Sequence, residues 1–212
     1  MWAGLLGIGT IMTETAEVLY QPRGMTWMDR KRLQKVAGFA VGESVLDIGC
    51  AEGPNPFLRG KRVAGFDRKP FARLLPPYTE QFVGDLYDIN KVLEGQVFDT
   101  ITMGEIIEHV EQPFDILRRV HKHVAPGGRL ILTTPNVIGL PVIIPELLLL
   151  RRFYYTEQHV YCFSPRWVWR ILERSGFKMV ATKGAGICWA FSWWFPAPAA
   201  LSYQVIYVAT PA

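Results

Sequence analysis

Val45-Leu46-Asp47-Ile48-Gly49-Cys50-Ala51-Glu52-Gly53 is the stretch that decides how this 212-residue chain folds. Val45 to Ile48 are apolar and β-branched at both ends, with one acid inside, which is the pattern of a short buried strand. Gly49 and Gly53 then open a turn in which a ligand can approach the backbone, because no Cβ stands in its way. Pro54 and Pro56 follow, residue types suited to the first turn of a helix. A strand, a glycine loop and a helix start is how an α/β sheet builds a nucleotide site at the carboxyl ends of its strands.

Strands and helices alternate on either side of this loop. Asp29 to Phe39 has helical spacing, with Leu33, Val36 and Ala37 on one face and Arg30, Lys31, Arg32 and Lys35 expected outward. Only Pro54 to Lys61 separate the loop from a second strand, Arg62 to Asp67, so the helix between them is expected to be short. Further strands are expected at 81–85, 98–103, 129–134, 178–182 and 204–209, with helices at 114–124 and from Ser164 to a stop at Gly176. This order predicts an α/β fold, a mostly parallel Rossmann-like sheet with helices on both faces. Residues 1–28 form an N-terminal extension and 29–212 a single domain, with an apolar lid near 137–163.

Half of the residues are apolar and a fifth charged, a globular balance. The net charge of +4 permits contact with phosphates or an anionic membrane without demanding either. Cys50, Cys162 and Cys188 lack metal-ligand spacing, so reduced thiols and a cytoplasmic protein are expected. The apolar opening, Met1 to Met12, lacks a basic stretch and is shorter than a bilayer span, and Met12 is an alternative start. The lid is likewise too short and too broken by Pro141 and Pro145 to span a membrane. It is expected to be a buried helix, a cover for an apolar substrate or a peripheral membrane contact.

Chemistry-bearing residues cluster at the predicted strand ends. Asp67 closes strand two, where an acid accepts hydrogen bonds from ribose hydroxyls. Asp85 closes strand three, and Leu86, Tyr87 and Ile89 can wall a purine ring. After strand four come Gly104-Glu105-Ile106-Ile107-Glu108-His109. Were this segment helical, Glu105, Glu108 and His109 would share one face, as metal ligands do. Alternatively His109 or a later histidine, His159, acts as a general base, or the Glu-His pair is structural. His121 and His123 are expected on a solvated helix face.

Together these motifs, from Val45 to Gly176, resemble the class I S-adenosylmethionine-dependent methyltransferases. The family's loop is acid-x-Gly-x-Gly-x-Gly; here Ala51 replaces the middle glycine. The resemblance implies a seven-stranded sheet with its last strand antiparallel. It also implies S-adenosylmethionine as the cofactor, bound by Asp47, Gly49, Cys50, Ala51, Gly53, Asp67, Asp85, Leu86 and Gly104. Glu105-x-x-Glu108-His109 with His159, and Thr133-Thr134-Pro135-Asn136 between, looks like a metal-dependent branch. That branch holds ubiquinone-biosynthesis O-methyltransferases and small-RNA 3′-end 2′-O-methyltransferases. It implies Glu105, Glu108, His109 and His159 as ligands to Mg, Mn, Fe or Zn, with His109 and His159 catalytic. The expected reaction is metal-assisted O-methylation of a small-molecule, lipid or glycan hydroxyl. An RNA 3′ end or a non-catalytic, cofactor-binding partner subunit are the alternatives.

Overall fold

A computed structural model describes residues 25–71, 73–148, 159–189 and 193–212. The Met12 start, most of the N-terminal extension and residues 149–158 of the apolar lid lie outside the described residues. Helix α1 (Trp27–Gly38) begins two residues earlier than its spacing suggests, because Asp29 belongs to a capping box. The Thr26 hydroxyl accepts from Asp29 N at 3.1 Å, and Asp29 Oδ2 accepts from Thr26 N at 3.2 Å.

The strands are β1 (Ser44–Ile48), β2 (Arg62–Asp67), β3 (Glu80–Val83), β4 (Phe98–Gly104), β5 (Val124–Pro135), β6 (Phe177–Trp189), β7 (Trp193–Phe195) and β8 (Gln204–Pro211). Between them lie α2 (Ile89–Val92), α3 (Pro113–His121), α4 (Leu140–Leu147) and α5 (Pro165–Arg174). The sheet order is β3-β2-β1-β4-β5-β8-β6-β7. Strands β1 to β5 are parallel, and β8 runs antiparallel to both β5 and β6. This is the seven-stranded Rossmann-like arrangement, with the short β7 added as a hairpin on β6. The order reverses between β1 and β4, so a crevice opens above their carboxyl ends.

Side chains alternate across the sheet and are buried on both faces, as parallel strands require. Leu46, Ile101, Leu130, Leu132 and Tyr207 pack with Ile116, Leu117 and Val120 of α3 and Val168, Ile171 and Leu172 of α5. On the opposite face Val36 of α1 meets Ile131 and Ile206. Val45, Cys50, Leu58, Val63 and Tyr78 form a third cluster, which residues 54–78 complete without a helix. The short helix expected after Gly53 is absent because Asn55 turns the chain: its Oδ1 accepts from Phe57 N at 3.0 Å, and Pro56 sits within the turn.

Two other expectations change. Arg32 is turned inward, where Nη1 donates to Thr133 Oγ1 at 3.0 Å. His123 lies beyond α3 and is buried, its ring nitrogens against Gln96 O at 2.8 Å and Asn90 Oδ1 at 3.0 Å. Among the described residues no helix is long and apolar enough to cross a membrane.

Asp99 staples β4 to the turn before β1. Its Oδ2 accepts from Glu43 N (2.9 Å), Ser44 N (3.0 Å) and Ser44 Oγ (2.8 Å). The Ser44 and Glu43 hydrogen bonds hold its carboxyl below the usual carboxylate range. Asp99→Asn should therefore lower the unfolding free energy at neutral pH by about 1 kcal/mol. Because the folded state depresses this pKa, the stabilisation is present above the unfolded value of about 4 and is lost as pH falls through the lower folded one. Urea unfolding of both proteins as a function of pH should show the difference shrinking in acid.

Candidate active site

The loop after β1 rests on a buried acid. Asp47 Oδ2 accepts from the Tyr78 hydroxyl at 2.5 Å, and Oδ1 from the Thr102 hydroxyl at 2.5 Å. The Tyr78 oxygen in turn accepts from Asn55 N at 2.8 Å, so one chain of bonds joins β1, β4 and both limbs of the loop. Burial raises the Asp47 pKa, and the hydrogen bonds from Thr102 and Tyr78 oppose that shift. Gly49 has φ +77°, and a Cβ there would lie 2.2 Å from Ile106 Cδ1. Both the backbone angle and the space demand glycine. Above Gly53 there is open space. The Cys50 side chain points away from the crevice into the cluster with Tyr78, so only its backbone can face a ligand.

The expected ligand-binding acids stand at the strand ends. Asp67 Oδ2 accepts from Ala51 N at 2.9 Å, and Oδ1 from Lys69 N at 3.0 Å. Each oxygen keeps a second lone pair for a hydroxyl donor. Asp85 is exposed and caps the turn Leu86–Asp88, with Oδ1 accepting from Tyr87 N at 2.9 Å. Leu86 is half-buried against the core, and Gly104 ends β4 opposite Thr133.

The segment after Gly104 is not the regular helix on which a shared face for Glu105, Glu108 and His109 depended. Glu105 adopts φ +54°, and only Ile107–His109 form a single 3-10 turn. This geometry divides the residues. Glu108, His109 and His159 offer ligand atoms that all lie within 4.8 Å of one another, and Glu105 is not in that group. The His109 and His159 rings meet edge to face, 4.7 Å between centroids. Glu108 is 1% exposed; Oε2 accepts from the Thr134 hydroxyl at 3.1 Å, and Oε1 has no hydrogen-bond partner. Its backbone oxygen accepts from Val160 N (2.8 Å) and Tyr161 N (3.1 Å), which brings His159 to it.

Burial, and secondly the Glu105 charge, push the Glu108 carboxyl up to about 9. Burial, and secondly the neighbouring His109, lower the His159 pKa, and the Glu105 charge opposes that shift. A buried carboxylate oxygen without a partner, beside two imidazoles, fits a divalent cation, which would compensate the carboxylate's charge. Glu105 instead accepts from Thr133 Oγ1 (2.8 Å) and Gln204 Nε2 (2.6 Å), with Arg32 Nη1 at 3.9 Å. Tyr78, Arg32 and Gln204 carried no legible signal in the sequence. The Thr133-Thr134 pair did, as part of the segment between the two histidine motifs.

Comparison with known proteins gives three findings. A family model described as a methyltransferase domain matches residues 23–182. A ubiquinone biosynthesis O-methyltransferase from Pseudomonas aeruginosa (strain UCBPP-PA14) is 31% identical over 125 residues, 54% of this chain and 51% of that protein. The chain thus spans about half the length of such curated relatives. Among solved structures, the complex between the Haloferax volcanii Trm112 methyltransferase activator and a methyltransferase matches with TM-score 0.62 at 15% identity, covering 88% of this chain and 90% of that one. The N-methyltransferase NodS from Bradyrhizobium japonicum, bound to S-adenosyl-L-homocysteine, matches with TM-score 0.57 at 16% identity, covering 89% and 93%. These two share the fold.

Tyr78→Phe removes a donor from the buried Asp47 and an acceptor from Asn55 N. It should lower stability by about 1–3 kcal/mol, the cost of leaving a buried polar group unpaired. Urea unfolding at neutral pH measures this, and an unchanged midpoint would show that Asp47 does not need the phenol.

Proposed function

The chain belongs to the methyltransferase-domain family, and from that premise we propose that it methylates a hydroxyl oxygen of a small-molecule, lipid or glycan acceptor, using S-adenosylmethionine and a divalent cation held by Glu108, His109 and His159. The observation that carries this reading is that buried Glu108 keeps one carboxylate oxygen without a hydrogen-bond partner and offers a carboxylate oxygen within 4.8 Å of ligand atoms on His109 and His159. Ile106 connects the two parts: it packs on Gly49 and lies two residues before Glu108. The relatives named as O-methyltransferases support oxygen as the acceptor atom.

S-adenosylmethionine supplies a methyl group made electrophilic by its positively charged sulfur. The backbone from Gly49 to Gly53, with Cys50 and Ala51, faces its methionine part, supported from below by Asp47. Asp67 accepts from the ribose hydroxyls, while Asp85 and Leu86 border the adenine and Gly104 closes the side next to β4. In the transfer, the acceptor oxygen would form the new carbon–oxygen bond as the sulfur–methyl bond breaks, the sulfur leaving as a neutral thioether and the hydroxyl proton passing to solvent or to a histidine not bound to the cation. The cation supplies charge that lowers the pKa of the acceptor hydroxyl and fixes its direction. Glu108, His109 and His159 would hold it; where it is absent, His159, whose pKa is lowered by burial and by His109, is placed to take the hydroxyl proton. The exposed side chains of Leu140, Ile144 and Leu147 on α4 suit an acceptor with an apolar part.

Asp67→Ala should weaken binding of S-adenosylhomocysteine about 10–100-fold, as expected for lost hydrogen bonds to a charged group. Isothermal titration calorimetry checks this. Methyl transfer to metabolite and lipid extracts, with and without chelator, tests the reaction. Chelator-sensitive transfer that Glu108→Gln abolishes is the expected result. Cofactor binding without transfer to any fraction would sink the enzymatic reading, and chelator-insensitive transfer would remove the cation.

A further inference from the structure

We propose that Glu105 is a positioning residue and not an ion ligand: its carboxylate clamps the head of β4 to α1, β5 and β8, and so aims Glu108 and His109 at His159. The proposal rests on the cation reading above and assigns Glu105 a separate task within it.

Successive side chains of a strand point to opposite faces of the sheet. On β5, Ile131 packs on the α1 face, whereas Leu130 and Leu132 pack on the face covered by α3 and α5. Thr133 has the register of Ile131, and Thr134 that of Leu132. Thr133 donates to Glu105 and Thr134 donates to Glu108. The two glutamates are therefore drawn to opposite faces of the sheet, three residues apart in sequence. The left-handed Glu105 backbone, φ +54°, produces this divergence. A residue other than glycine keeps such an angle only where its surroundings hold it.

Those surroundings are specific to Glu105. Its Oε1 takes the Thr133 hydroxyl, with the Arg32 guanidinium at 3.9 Å, and Oε2 takes the Gln204 amide at 2.6 Å. Arg32 comes from α1 and Gln204 from β8, on the α1 face by its pairing with Pro135. Gln204 can serve a carboxylate only through its NH2 group, which leaves Gln204 Oε1 buried without a partner. The backbone is fastened as well, since Glu105 N donates to Thr133 O at 2.9 Å. Glu108, drawn to Thr134, groups with His109 and His159, and Glu105 is not in that group. A three-residue site leaves coordination positions open for an acceptor hydroxyl, as catalytic ion sites do.

The test measures Mn²⁺ binding by electron paramagnetic resonance. Glu105→Gln and Gln204→Leu should each weaken Mn²⁺ roughly tenfold, the effect of losing an outer-shell partner. The double variant should be no weaker than the weaker single, because both remove one clamp. Thr133→Val, the mildest change, should act in the same direction. Glu108→Gln should abolish binding. The proposal is overturned if Glu105→Gln loses as much as Glu108→Gln while Gln204→Leu changes nothing. If the unaltered protein binds no Mn²⁺, the cation reading falls, and the clamp is decided in chelator by the His109 and His159 imidazole NMR signals. Parallel shifts in Glu105→Gln and Gln204→Leu support it, and unmoved signals overturn it.

Discussion

The loop after β1 depends on one buried carboxylate. Asp47 lies beneath the turn, where an unpaired charge would be costly, and Tyr78 and Thr102 each give it a hydroxyl. Tyr78 then reaches the backbone of Asn55 on the far limb of the loop. The position of Gly49 relative to β4 follows from these bonds, and Ile106 closes over Gly49 as a result. Through Ile106, the same constraint fixes where Glu108 and His109 begin. A polar network inside the core thus sets the distance between the glycine loop and the acid–imidazole cluster.

The sheet was largely legible in the sequence because its strands are short apolar runs punctuated by glycine, proline and acids. Val45–Ile48 and Arg62–Asp67 appear in the structure at the expected residues, with β1 extended by Ser44. The short helix after Gly53 was not legible in its absence, since the Asn55 side chain, and not backbone propensity, turns the chain there. Arg32 was misplaced for a different reason. Three basic neighbours suggested a solvated face, but a helix over a sheet turns one long cation toward any carboxylate its length can reach, and Glu105 stands there.

Within the site, residue types were easier to foresee than backbone direction. Glu105, Glu108, His109 and His159 stood out by their chemistry and spacing. Their grouping did not, because helical spacing presumes a helix, and the left-handed angle at Glu105 breaks the register before it starts. No side-chain pattern announces that angle at a glutamate. The partners that sustain it, Thr133 and Gln204, are far away in the chain and contribute single polar groups from two different strands. Long-range pairing of this kind has no periodicity to detect.

The antiparallel strand β8 has a consequence for how the molecule is assembled. It lies between β5 and β6, so β6, although synthesised earlier, can pair only with the short β7 until residues 204–211 arrive. On a ribosome, the parallel half from β3 to β5 can form while β6 waits with only β7 beside it. Loss of β8 would split the sheet in its interior and also release the Gln204 amide from Glu105. The final strand therefore couples completion of the fold to completion of the site, and a nascent chain has its glycine loop before it has a fully braced acid–imidazole cluster.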